Sequence, residues 1–146
     1  FDTPILQKPL ELTGEITAKL YVRSTAPDTD FIVRVSDVYP DGRSILIVDY
    51  PWRLRYREGF EKEVLMEPGK VYPVEFPVGW LSQVFQQGHR IRVTIASTGD
   101  PLYEPNPQNG KPLTIEFPED ARTATNTVHH SRRFPSAILA PRVQKP

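Results

Sequence analysis

The chain has 146 residues, long enough to bury a core without a metal or disulfide, and it has no cysteine, so nothing in its fold depends on the redox compartment. Its 18 basic side chains balance 18 acidic ones, which argues against a nucleic-acid groove, and no apolar run approaches the ~20 residues of a membrane-spanning helix. Sixteen prolines and scarce helix signals point to one all-β domain over residues 1–146. The one methionine is Met66, so the sequence does not open on an initiator, and it reads as a domain excised from a longer chain.

Phe1 to Glu11 is irregular, with FDTPIL reading as the end of a strand that begins upstream. After Leu12-Thr13-Gly14, the segment EITAKLYVRS turns Ile16, Ala18, Leu20 and Val22 one way and Glu15, Thr17, Lys19 and Arg23 the other, the period of a half-buried strand. Ala26-Pro27-Asp28 breaks it. Asp28 to Glu58 then reads as one long hairpin around which the other strands gather. On its first arm Phe31, Val33 and Val35 alternate with Ile32, Arg34 and Ser36; at its tip Tyr39-Pro40-Asp41-Gly42-Arg43 suits a type I turn closed by a bulge at glycine. The second arm, Ile45 to Tyr56, opens with the nearly continuous apolar run ILIVDY, as expected of a central strand.

Glu67-Pro68-Gly69-Lys70 has Pro then Gly in type II order and leads into VYPVEFPV, with Tyr72, Val74, Phe76 and Val78 on one face. Trp80, Leu81, Val84 and Phe85 fall at helical spacing before Gly88, which predicts one short helix covering an end of the sandwich. RIRVTIAS alternates again, with Ile91, Val93 and Ile95 inward. The following loop, TGDPLYEPNPQNGKP, is long enough to expect a function of it. LTIEF, a strand around ATNTVHH, and FPSAILAP close the chain. With about eight strands and no internal repeat, the pattern predicts a two-sheet jelly roll.

Catalytic signals are weak. Gly42-Arg43-Ser44-Ile45-Leu46 lacks the second glycine of a nucleophile elbow, and no helix signal follows Ser44. His129 and His130 are adjacent, so on a strand they point to opposite faces and do not converge on a metal; His89 reads as a strand-start residue. Asp28 and Asp30, with Asp37 on the next strand, are candidate calcium ligands that would need further oxygens from backbone carbonyls, and an Asx turn at Asp28 is the simpler alternative. No cofactor is expected. In PWRLRYRE, Trp52, Leu54 and Tyr56 share one strand face and Arg53, Arg55 and Arg57 the other, within reach of Glu58, Glu61 and Glu63. That arginine stripe fits a solvated face or an interdomain contact; the contact would comprise Trp52, Arg53, Arg55, Tyr56, Arg57 and Tyr103, with the loop from Asp100 to Gly110. The rival reading is a carbohydrate-binding module that stacks sugars on Trp52, Trp80 or Tyr103.

One further signal lies in the order of segments. LTGEITAKLYVRSTAPDTDFIVRVSDVYPDGRS, RLRYREGF, MEPGKVYPVEF, VFQQGHRIRVTIAS, NPQNG and TVHHSRRFPSAILAP follow one another across nearly the whole chain. Together they resemble the C-terminal domain of the X-Pro dipeptidyl-peptidase and cocaine-esterase (CocE/NonD) family of serine hydrolases. The resemblance implies a galactose-binding-domain-like jelly roll appended to an α/β-hydrolase catalytic domain of the same polypeptide. The family's Ser-Asp-His triad belongs to that other domain, so no catalytic residue carries over to this chain. It implies a domain that packs on the catalytic domain, helps shape its cleft, or joins subunits into a homo-oligomer. The parent would cleave ester or amide bonds.

Overall fold

The computed structural model describes residues 1–112 and 118–143. The strand expected over residues 113–117, LTIEF, lies outside them. In chain order the strands are β1 (Leu10–Ser24), β2 (Asp30–Val38), β3 (Ser44–Arg53), β4 (Tyr72–Phe85), β5 (Arg90–Ala96), β6 (Asn126–His129) and β7 (Ala137–Leu139), with 3-10 turns at Leu54–Tyr56 and Pro118–Asp120. They form two antiparallel sheets. One has the order β4-β1-β6, with β7 also on β1; the other has the order β3-β2-β5. The described residues thus form an all-β sandwich, as expected.

The core lies between the sheets. Ile16, Ala18, Leu20 and Val22 of β1 are all at most 2% exposed, as their alternation predicts. They face Phe31, Val33 and Val35 of β2, and Val74, Phe76 and Val78 of β4 complete the layer. Each large side chain buried there contributes about 1.5–3 kcal/mol. Both turns take the expected form. Gly42 donates to Tyr39 O at 2.9 Å with φ +91°, and Lys70 donates to Glu67 O at 3.2 Å around Gly69 at φ +84°.

Two expectations need correction. The central strand of the hairpin is its first arm: β2 lies between β3 and β5, and every β2 residue except Arg34 is buried. Among the described residues β3 is an edge strand, with Ile45 and Leu46 nearly half exposed. The long loop after β5 covers the outer face of β2. The second arm also ends early, at Arg53, because Leu54 donates to Thr29 O and Arg55 to the Asp28 carboxylate, which pulls the chain into a 3-10 turn.

The other correction concerns Trp80 to Phe85, which is not a helix but the second half of β4. The pairing with β1 shifts register between Ile16 and Thr17, so Ile16 faces Gly79 and Thr17 faces Pro77. The extra residue of this β-bulge switches the buried set from Val74, Phe76 and Val78 to Leu81 and Phe85. A phase slip in a period-two pattern imitates helical spacing. Gly79 permits it: its φ is +139°, and a Cβ there would lie 2.7 Å from Val48 Cγ2 on the facing sheet.

Candidate interdomain surface

The loop after β5 is held against the outer face of the β3-β2-β5 sheet. Gly99 makes the close approach, since a Cβ there would come within 2.8 Å of both Ile32 Cδ1 and Tyr103 Cδ2. Tyr103 donates its hydroxyl to Asp49 Oδ1 at 2.9 Å, and Arg34 Nε donates to Asp49 Oδ2 at 3.2 Å. Burial, and then the bond to Asp49, pushes the Tyr103 phenol above its ordinary pKa. The loop tip leaves Leu102 66% exposed.

Farther along, two carboxylates clamp the loop from beneath. Asp28, fully buried, accepts from the Arg55 backbone N–H at 2.9 Å and from Arg55 Nε at 2.7 Å. Asp30 accepts from Arg53 Nε at 2.8 Å and Arg53 Nη2 at 2.9 Å. Asn106 joins the two, its amide donating to Asp28 Oδ2 and Asp30 Oδ1 at 2.8 Å each, while its carbonyl accepts from Gln108 N–H at 2.8 Å. Arg55 Nη1 reaches past them to Lys111 O at 2.9 Å. Buried charge is tolerated only when paired and hydrogen-bonded; the pairing comes from Arg53 and Arg55, and the loop adds the Asn106 amide and the Lys111 carbonyl, leaving Arg55 Nη2 buried without a partner among the described residues.

The arginines therefore do not form the outward stripe expected. The 3-10 turn rotates them apart: Arg55 is fully buried, Arg53 lies mostly covered on Asp30, and Arg57 folds back onto backbone carbonyls. Arg57 donates to Leu54 O at 3.0 Å, to Val64 O and to Leu65 O at 3.2 Å, with its guanidinium 4.6 Å from the Tyr72 ring centre. Of the neighbouring glutamates, Glu63 lies 3.4 Å from Arg55 and accepts from the Tyr56 hydroxyl at 2.9 Å. Asp28 closes no local Asx turn; it reaches Arg55, 27 positions away. A cation beside Asp28 and Asp30 would meet two guanidinium groups, and no group of three or more His, Cys, Asp or Glu side chains able to hold a metal occurs among the described residues. Sequence reasoning missed Asn106, whose only signal was the density of Asn and Pro in the loop.

Trp52, Trp80 and Tyr103 do not assemble into a platform. The Trp52 ring stacks on Phe76 in the core, with centres 5.2 Å apart and planes 2° from parallel. Trp80 stands on β4 in the other sheet, 75% exposed, and the Tyr103 hydroxyl is engaged by Asp49. The other edge of Trp52 meets Phe60 at 5.6 Å, and Phe60 in turn meets Tyr56 at 5.7 Å. Phe60 is 70% exposed and was not singled out from sequence. β3 thus anchors two exposed apolar groups, Phe60 through Trp52 and Leu102 through the Tyr103–Asp49 bond.

The histidines stay apart. His129 packs on Phe134 at 5.2 Å and His130 on Phe1 at 5.6 Å, while His89 Nδ1 lies 2.8 Å from Asp37 Oδ1 in a buried pair the sequence did not reveal. Ser44 lies exposed at the start of β3.

Comparison with known proteins gives these features a context. Residues 1–139 match the X-Pro dipeptidyl-peptidase C-terminal non-catalytic domain. The chain is 39% identical over 145 residues to cocaine esterase of Rhodococcus sp. (strain MB1 Bresler), covering 99% of this chain and 25% of that protein. A solved aminopeptidase from the marine sediment archaeon Thaumarchaeota archaeon superposes with a TM-score of 0.94 at 32% identity, covering 99% of this chain and 25% of its own. An alpha-amino acid ester hydrolase superposes with a TM-score of 0.93 at 30% identity, covering 98% and 25%. The chain spans about a quarter of the length of these relatives. It belongs to the C-terminal non-catalytic domain family of the X-Pro dipeptidyl-peptidase and cocaine-esterase (CocE/NonD) hydrolases.

Proposed function

We propose that the chain is the accessory domain of a serine hydrolase, packed on the α/β-hydrolase catalytic domain of the same polypeptide and forming one wall of its substrate cleft. The parent would cleave ester or amide bonds, the class to which cocaine esterase and the alpha-amino acid ester hydrolase belong by name. The observation that carries this reading is the long loop. It is tied to the sheet by Asp49, Asp30 and Asp28, yet its apolar tip at Leu102 has nothing over it among the described residues. A clamped loop with an exposed tip costs little further ordering entropy on docking.

Of the contact residues expected from sequence, Trp52, Tyr56 and Tyr103 support this face from its edge. Arg53, Arg55 and Arg57 serve it from beneath by fixing the turn and the loop. Phe60 and Leu102 are the side chains that touch the partner domain.

The test is made in the full-length hydrolase. Phe60→Asp and Leu102→Asp replace exposed side chains, so the fold of this domain survives both. The pair lowers kcat/KM on the parent's ester or amide substrate by about ten- to a hundredfold, the scale of a misplaced cleft wall. Unchanged kcat/KM with the catalytic domain intact sinks the reading. A 146-residue fragment that hydrolyses p-nitrophenyl esters above buffer also contradicts it.

A further inference from the structure

The sandwich is open along one side. Between the sheets, at the edge formed by β5, β6 and β7, lies an apolar cleft of about 390 Å³, lined among others by Leu20, Val93, Ile95, Val128 and Ile138. Its mouth runs beside the first residues of the chain. Phe1 and Val93 exchange both backbone hydrogen bonds at 2.8 Å, and Thr3 donates to Ile91 O at 3.0 Å. Asp2 and Arg92 form the bridge between them, their side chains joined by two bonds of 2.8 Å. Phe1 to Thr3 is therefore a short antiparallel strand on the edge of β5 away from β2.

Register and parity follow from those bonds. Phe1 and Thr3 turn into the cleft, and Asp2 turns out. β5 runs on past Val93 through Thr94 and Ile95 to Ala96, and among the described residues no strand pairs with that edge beyond Phe1.

We infer that the cleft seats an extended strand of the longer polypeptide, the segment leading directly into Phe1, added to β5 in the register that Phe1 and Asp2 set. This rests on the longer hydrolase chain proposed above. The residue immediately before Phe1 lies opposite Thr94 and faces solvent. The residue two before Phe1 lies opposite Ile95, turns into the cleft and is apolar. Main-chain bonds supply the attachment and alternate side chains fill the groove, as in other cases of strand addition.

A disulfide in the full-length protein tests the register. This chain has no cysteine, and Thr94 is exposed, so Thr94→Cys disturbs little. The Asp2–Arg92 pair is of the non-hydrogen-bonded type, and the position before Phe1 opposite Thr94 repeats it, with Cα atoms about 4.5 Å apart, within disulfide reach. Cysteine placed immediately before Phe1 together with Thr94→Cys gives an intrachain disulfide under mild oxidation, seen by peptide mass mapping. The same upstream cysteine with Ala96→Cys, one pleat farther along, gives little. No bond at Thr94, equal bonding at both positions, or a bond between two molecules overturns the inference, the last because a second copy would then fill the groove. Hydrolase activity measured on the same preparation separates the two claims. An active hydrolase without the bond loses only the strand, and an inactive protein with the bond loses only the hydrolase reading.

Discussion

The loop face and the open cleft sit on either side of the same sheet and are opposite in chemistry. On the loop face, two buried aspartates, two arginines and an asparagine hydrogen-bond to one another and leave only Arg55 Nη2 buried without a partner among the described residues, so the segment from Gly99 to Lys111 is held by the domain itself. In the cleft, Val93, Ile95, Val128 and Ile138 line a space that the described residues leave unfilled. A buried charge must find its partner within its own fold, because each unpaired one costs several kcal/mol, whereas an apolar groove tolerates waiting for its cover. In the functions proposed above, the first region shapes a surface and the second receives a strand.

The sharpest way to break that contrast is to open the clamp. Arg55→Ala leaves Asp28 buried without its guanidinium partner, and we expect a loss of about 3–5 kcal/mol in urea unfolding of the full-length protein's domain transition. A loss under 1 kcal/mol would mean that the network is not what holds this end. Paired truncations compare the two sides directly. Phe76→Ala, in the filled core against Trp52, costs about 3–5 kcal/mol, while Ile95→Ala, beside existing space, costs less than about 2 kcal/mol when the cleft is open. In the full-length protein, where the inferred strand fills the cleft, the two costs converge, and a difference that persists there would count against the strand.

Smaller effects sharpen the account of the loop. Asn106→Ala removes the amide shared by both carboxylates and costs about 1–3 kcal/mol, with faster hydrogen exchange from Gly99 to Lys111 and little change in β1. Tyr103→Phe removes the bond to Asp49. Because the Tyr103 pKa is raised in the folded state, its stabilisation is complete below the ordinary tyrosine pKa of 10.0 and lost as pH rises through the raised value. Absorbance of tyrosinate then shows one late-titrating group in the parent protein that is missing from the variant. The smallest effect is at the edge strand. The hydrogen bond from Arg92 holds the exposed Asp2 carboxyl below 3.8, so its contribution is present above that pH and fades as pH falls through the lowered value. Asp2→Asn should flatten the acid limb of the unfolding curve slightly, and an unaltered limb would remove Asp2 from the account.

Much of the sandwich was legible because period-two patterns and turn chemistry are local. Ile16, Ala18, Leu20 and Val22 needed no knowledge of their partners, nor did the turns at Gly42 and Gly69. The misreadings share a cause. Helix for Trp80 to Phe85 followed from a bulge whose need arises on β1 and on Val48, far away in sequence. ILIVDY suggested a central strand, but which arm is central depends on where β5 and the loop settle. The arginines looked solvated because Asp28, Asp30 and Asn106 lie 23 to 78 positions from the groups they bind. Phe60 carried no periodic signal at all; its place at the surface is set by its contacts with Trp52 and Tyr56.

The central claim is that the β3 face with its clamped loop is covered by the catalytic domain. Hydroxyl-radical footprinting of the full-length protein tests it within one molecule, with Trp80, 75% exposed on the other sheet, as the reference. After correction for intrinsic reactivity, the account predicts strong protection of Phe60 and Leu102 and none of Trp80. Oxidation of Phe60 and Leu102 at the rate set by their exposure in this domain would contradict it.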